Sequence, residues 1–170
     1  LKDLPKDLIV FFDEAYFEFV EEKEYPDTRK YLSKHSVIMT RSFSKAYGLA
    51  GIRIGYGVSN PEIADYLNRV REPFNVNSLA QAAALAALED RSHLERTRRL
   101  VREGRRYLYR HFDDLGLRYI PSQTNFILVN AGDGKALYEK LLKFGLLVRD
   151  MGAWKLEAFI RVTLGTMEEN

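Results

Sequence analysis

The sequence predicts an α/β protein made of two structural units. Strand-like and helix-like segments alternate along the chain, which argues for that class. The run Leu8-Ile9-Val10-Phe11-Phe12 is continuously apolar, as in strands buried on both faces of a parallel sheet. The composition also changes near residue 77. Buried-strand runs and polar turns precede that point; a long helix and a compact set of strands around one helix follow it. The expected organisation is therefore a first unit over residues 1–77, a long connecting helix over 78–114 and a smaller α+β unit over 115–170.

The elements follow in order. Leu1 to Asp7 reads as a polar connector, and the first strand covers residues 8–12. Further strands are expected at 36–40, 54–58, 125–129, 146–149 and 159–163. Asn60-Pro61 is a helix start, a capping residue followed by proline in the first turn, and the helix runs to about Arg71. Ser78-Leu79-Ala80-Gln81 has the pattern of a capping box and opens a helical stretch to about Asp114. Asp133 to Phe144 is amphipathic and closes at Gly145, where a helix end favours glycine. Thr166-Met167-Glu168-Glu169 is another capping box, announcing a helix at the very end of the sequence. A central strand at the start needs neighbours this chain cannot supply, so a fragment truncated at both ends is expected.

Composition narrows the function. Of 170 residues, 26 are Lys or Arg and 24 are Asp or Glu, and the resulting net charge of +2 does not mark a nucleic-acid binder. The richest basic run, Arg96, Arg98, Arg99, Arg102, Arg105 and Arg106, alternates with Glu95 and Glu103 and is expected to be the solvated face of a helix. The absence of cysteine excludes disulfides and thiolate metal sites. His35, His93 and His111 are too dispersed for metal-ligand spacing, so no metal is expected. No apolar run reaches the length of a membrane span and no signal peptide opens the chain, so a cytoplasmic protein without a membrane partner is expected.

Three polar clusters stand at strand ends, where open parallel sheets place ligands. Asp13-Glu14-Ala15-Tyr16 follows the first strand, where an acid is costly without a cationic partner. Alone, Asp13 suits a turn cap equally well. Thr40-Arg41-Ser42-Phe43-Ser44-Lys45 follows the second strand and offers hydroxyls, backbone donors and a cation, a combination suited to phosphate. A lysine in cationic surroundings loses its proton easily, as a covalent nucleophile must. An isolated S-x-S-K also fits a plain surface turn. Ile52-Arg53-Ile54-Gly55 sets Arg53 inside an apolar strand pattern, where it needs an anion, either a ligand or a structural carboxylate.

Together these residues resemble the fold-type I aminotransferases that depend on pyridoxal 5'-phosphate (PLP). The family pattern is D-x-x-Y, then S-x-x-K about thirty residues on, then an arginine eight residues after the lysine, matched by Asp13, Tyr16, Ser42, Lys45 and Arg53. A strand arginine near the C-terminus completes it as Arg161 in Phe159-Ile160-Arg161-Val162-Thr163. The resemblance covers essentially the whole chain. It implies part of a large domain with a mostly parallel sheet, and a smaller α+β C-terminal domain. It also implies roles. Asp13 would hold the ring nitrogen protonated and Tyr16 would bond the ring oxygen. Ser42, Ser44 and Arg53 would bind the phosphate. Lys45 would bond the cofactor and move a proton, and Arg161 would grip a substrate carboxylate with its planar fork.

Within the family, Thr40 to Gly57, Pro73 to Gln81, Pro121 to Phe126, Leu147 to Asp150 and Arg161 to Asn170 are similar to the histidinol-phosphate aminotransferases. That resemblance implies amino transfer between L-histidinol phosphate and 2-oxoglutarate in histidine biosynthesis, by a homodimer. Those substrates need more than one anion-binding group, and Arg149 is the second candidate beside Arg161. Asn125 is a further substrate-side candidate, and Trp154 is expected to be packing cover. The family's N-terminal arm and its glycine-containing phosphate loop would precede Leu1, so the piece alone is expected to be inactive. The alternatives are an aromatic or broad-specificity aminotransferase, a threonine-phosphate decarboxylase, or a non-catalytic assembly module.

Overall fold

The structure is a computed structural model and describes residues 4, 5, 7–33 and 36–170. Most of the expected connector over residues 1–7, and His35 among the histidines, lie outside the described residues. The chain packs as two units, Leu1–Glu95 and Arg96–Asn170.

In the first unit, β1 (Val10–Asp13), β2 (Val37–Ser42) and β3 (Gly55–Ser59) form a sheet in that order. β1 and β2 run parallel, with Asp13 opposite Thr40, and β3 pairs antiparallel to β2, with Gly55 opposite Ser42. Val37, Met39, Phe43 and Ala46 are buried beneath it. The first strand is not buried on both faces as expected: Phe11 is 58% exposed while Phe12 faces inward. The alternation of period two holds, but among the described residues only one strand flanks it.

The helix α1 (Pro61–Val70) begins as expected, with the Asn60 side chain accepting the Ile63 N–H at 2.9 Å. At the next helix the cap is one residue earlier than expected. Asn77, not Ser78, accepts the Ala80 N–H at 2.8 Å and opens α2 (Ser78–Glu89). The expected single helix over 78–114 is two helices, because Asp90 leaves helical geometry. Its Oδ1 accepts the His93 N–H at 2.9 Å and the Ser92 hydroxyl at 2.9 Å, capping α3 (Arg91–Asp114). Aspartate is neutral to poor inside a helix and strong at its start, so it ends one helix and begins the next.

The second unit is an antiparallel sheet in the order β4 (Tyr119–Ile120), β5 (Phe126–Asn130), β7 (Phe159–Thr163), β6 (Arg149–Asp150). Ile127, Val129 and Ile160 are buried in it, each contributing about 1.5–3 kcal/mol over exposure. The helix α4 (Gly134–Lys143) packs on β6 and β7. It is capped by Asp133, which accepts the Ala136 N–H at 2.9 Å. Its end is a Schellman turn: Gly145, at φ +74°, donates to the Leu142 carbonyl, and Leu146 donates to Leu141. The Thr166–Glu169 box is reciprocal as expected. Glu169 Oε2 accepts the Thr166 N–H at 2.7 Å, and Thr166 Oγ1 accepts the Glu169 N–H at 3.3 Å.

Two expectations in this unit are corrected, and one unexpected strand is added. The strand over 146–149 is only Arg149–Asp150, and Leu146 and Leu147 are exposed on its approach. β4 has no periodic signal at two residues in length and is absent from the sequence reading. Arg105 is buried, not solvated, and its guanidinium donates to the Ser122 carbonyl at 2.5 Å.

Candidate active site

The first unit gathers Asp13, Tyr16, Ser42, Ser44, Lys45 and Arg53 around the ends of β1 and β2. The parallel register decides which side chains share a face. Asp13, Thr40 and Ser42 lie on one face, and Phe12, Glu14, Met39 and Arg41 on the other.

Asp13 closes β1 at the surface, and its Oδ1 accepts the Ala15 N–H at 3.0 Å. The burial expected for it belongs to its neighbour. Glu14 is 2% exposed and holds the cationic partner: its Oε2 accepts from Arg41 Nε at 3.0 Å and Nη2 at 2.9 Å. Thr28 donates its hydroxyl to Glu14 Oε1 at 2.6 Å. Neither Glu14 nor Arg41 was singled out from the sequence. The available signal was an acid in the strand-end turn and an arginine at the matching alternate position of the next strand.

Tyr16 opens the short 3-10 turn Phe17–Phe19, and Lys45 Nζ lies 5.2 Å from the centre of its ring. Lys45 is held up by what surrounds it. Phe43 and Ala46 are buried on either side, so the lysine between them faces out. Phe43 rests against Tyr47 at 5.0 Å and Tyr56 at 5.9 Å. Burial, and then the charge of Glu18, raise the Tyr47 hydroxyl above its ordinary pKa, so it stays protonated at neutral pH. Ser42 Oγ accepts the Ser44 N–H at 3.0 Å, closing the turn that carries Lys45.

Arg53 is not inside a strand. It precedes β3 in the left-handed conformation at φ 56°, is exposed, and donates through Nη1 to the Ala50 carbonyl at 2.7 Å. With Thr40, Ser42, Ser44 and Gly57 it lines an open cleft of about 420 Å³. Gly55 lets β3 come close there, because a Cβ would meet the Arg41 carbonyl at 2.8 Å. Two serine hydroxyls, a guanidinium and strand-end backbone make a donor set that fits a phosphate.

The second unit brings Arg149 and Arg161 together. They are directly opposed across β6 and β7 and line one pocket of about 570 Å³ with Tyr138, Asp150 and Trp154. The guanidinium carbons lie 5.9 Å from the Trp154 ring for Arg149 and 4.9 Å from the Phe126 ring for Arg161. Arg161 Nε is buried without a hydrogen-bond partner. Asp150 does not serve as the counterion of Arg149; its Oδ1 accepts the Gly152 N–H at 3.1 Å. Like charges directly opposed on a sheet repel, so the pair calls for an anion between them. Asn125 does not line this pocket; it precedes β5, and its carbonyl accepts the Leu164 N–H at 2.9 Å.

Among the described residues no group of His, Asp or Glu could hold a metal ion, and no helix is long and apolar enough to cross a membrane.

The sequence matches the family described as aminotransferase class I and II over residues 1–170. The chain belongs to that family. Class I and II aminotransferases that it resembles include histidinol-phosphate aminotransferase 1 of Nitrosococcus oceani, 51% identical over 172 aligned residues, which take in all of this chain and 46% of that protein. The histidinol-phosphate aminotransferase of Moorella thermoacetica is 47% identical, again over the whole chain and 45% of the relative. The chain therefore spans about half the length of the curated relatives it matches. A crystal structure of histidinol-phosphate aminotransferase from Sinorhizobium meliloti in complex with pyridoxal-5'-phosphate superposes with a TM-score of 0.90 at 34% identity. It is matched over 99% of this chain and 47% of its own. The fold is thus part of the fold-type I architecture.

Proposed function

We propose that the chain belongs to a histidinol-phosphate aminotransferase, which moves an amino group between L-histidinol phosphate and 2-oxoglutarate. The opposed pair Arg149 and Arg161 carries this reading. One pocket with two guanidiniums and no paired carboxylate suits substrates that differ in their anions, a phosphate on one and two carboxylates on the other. The names of the relatives support it.

When bound, PLP supplies the electron sink and the carbonyl that accepts the amino group. The residues of this chain supply position and protons. Ser42, Ser44 and Arg53 would hold the phosphate at the cleft between β2 and β3. Asp13 would keep a proton on the ring nitrogen through its carboxylate, and Tyr16 would donate its hydroxyl to the ring oxygen. Lys45 would bond the cofactor through Nζ, and the same atom would move a proton at the substrate Cα. Arg161 would take the α-carboxylate of 2-oxoglutarate and Arg149 the phosphate of the amino donor. The protein acts as a cytoplasmic homodimer in this reading.

A second reading draws on the same arginine pair. A molecule bearing both carboxylate and phosphate would also fill it, and a structural relative at 25% identity and TM-score 0.79 is named L-threonine-O-3-phosphate decarboxylase, from Porphyromonas gingivalis. The test is a donor panel on full-length protein loaded with PLP. Glutamate should form from 2-oxoglutarate fastest with histidinol phosphate. Faster reaction with aromatic amino acids, or carbon dioxide release from O-phosphothreonine, would overturn the first reading.

A further inference from the structure

Behind the candidate site, on the opposite face of the sheet, lies a buried ion pair to which the proposed chemistry gives no role. Glu14 and Arg41 flank the site residues directly in sequence: Glu14 follows Asp13, and Arg41 precedes Ser42. Both oxygens of the Glu14 carboxylate are engaged, Oε2 by Arg41 and Oε1 by Thr28. The Glu14 side chain is 1% exposed and that of Arg41 17%. The Arg41 guanidinium also lies over the Phe17 ring, with Cζ 3.5 Å from its centre. Burial, and then the Glu14 charge, raise the pKa of the Tyr25 hydroxyl at the rim of the same cluster.

The connectivity is what matters. Tyr16 lies between Glu14 and Phe17, and both of those residues hold the one arginine. The backbone repeats the tie, since the Glu14 N–H donates to the Thr40 carbonyl at 2.9 Å and the Phe17 N–H to the Glu14 carbonyl at 3.0 Å. Arg41 in turn sits one residue before the serine that starts the Lys45 turn. A guanidinium clamped by a buried carboxylate is therefore anchored to both loops whose spacing sets the distance from Lys45 to Tyr16.

We propose that Glu14 and Arg41 are positioning residues, a clamp behind the sheet that sets the Asp13–Tyr16 turn against the Ser42–Lys45 turn. This rests on the functional reading above, in which those two turns hold PLP. A buried pair alone is weak grounds for stability, because two apolar groups of similar volume often serve as well or better. What two apolar groups cannot reproduce is the fixed direction of the bonds from Arg41 to Glu14. Site groups displaced by about 1 Å lose rate by about 100-fold, so loosening the clamp should cost at least about tenfold.

The experiment uses full-length holoenzyme and two variants. Glu14→Gln keeps the shape, and it should lower kcat and PLP affinity by about tenfold each while the KM for the amino donor stays within about twofold. Glu14→Leu/Arg41→Met removes both charges; it should match the wild-type melting temperature yet keep the losses in kcat and PLP affinity. The clamp is overturned if the Gln variant binds PLP and turns over within about twofold of wild type. Recovery of activity together with stability in the double variant overturns it as well, for the pair would then be structural only. Should the double variant fail to fold, the Gln variant decides. A wild-type protein that takes up no PLP sinks the functional reading itself, and the clamp with it.

Discussion

Replacing Arg161 with methionine should trade activity for stability. Methionine keeps an unbranched stem and a favourable contact with the Phe126 ring, so packing on that face is largely retained. What disappears is a buried Nε without a partner, opposite a second guanidinium across the sheet. An unsatisfied buried donor costs about 1–3 kcal/mol. The repulsion between directly opposed like charges adds a few tenths of a kcal/mol. The unliganded variant should therefore be the more stable, by about 2–4 °C in melting temperature for each kcal/mol regained. Binding should move the other way. Losing a charge-assisted contact to a buried carboxylate costs about 2–5 kcal/mol. At about 1.4 kcal/mol per tenfold, this is a loss of roughly 30- to 4,000-fold in the step that consumes 2-oxoglutarate. Melting of the unliganded protein and the rate of glutamate formation against 2-oxoglutarate concentration give both numbers. A variant that melts lower than wild type while keeping its 2-oxoglutarate dependence within about threefold would make Arg161 a structural residue and refute the reasoning.

Two further outcomes follow from the geometry. Asp13→Asn preserves an oxygen for the Ala15 N–H and so the turn; turnover should fall far more than PLP affinity, and equal losses in the two measurements would leave Asp13 merely structural. Arg149→Ala should weaken histidinol phosphate more than unphosphorylated histidinol, because only the former presents the phosphate; a like effect on the KM of both donors would remove Arg149 from phosphate binding.

The sequence carried the strong local signals and lost what depends on register. The cap at Asn60, the glycine at the end of α4 and the Thr166–Glu169 box were all legible, because each is local chemistry within a few residues. The cap of α2 was misread by one position, since Asn77 and Ser78 are adjacent and both residue types cap well. Asp90 was overlooked because the helical patterns on either side of it are strong. Charge placement failed where faces had to be assigned. Burial was expected of Asp13, yet alternation along β1 turns Asp13 outward and Glu14 inward, and only pairing with β2 reveals Arg41 as the partner. Arg53 was taken for a strand residue because Ile52 and Ile54 flank it, but a left-handed turn intervenes before β3. Arg149 and Arg161 were both named from sequence. Their direct opposition across the sheet was not visible there, because β6 contributes only two residues to the pairing.

The central claim is that Lys45 is the residue that bonds PLP, and one measurement tests it most directly. Borohydride reduction of the PLP-loaded, full-length protein makes the bond between lysine and cofactor permanent, and peptide mapping then locates it. The label should fall on the peptide carrying Ser44-Lys45-Ala46, at Lys45, and Lys45→Ala should abolish both label and transamination. A label on any other lysine, or an unlabelled protein that still transaminates, would contradict the account.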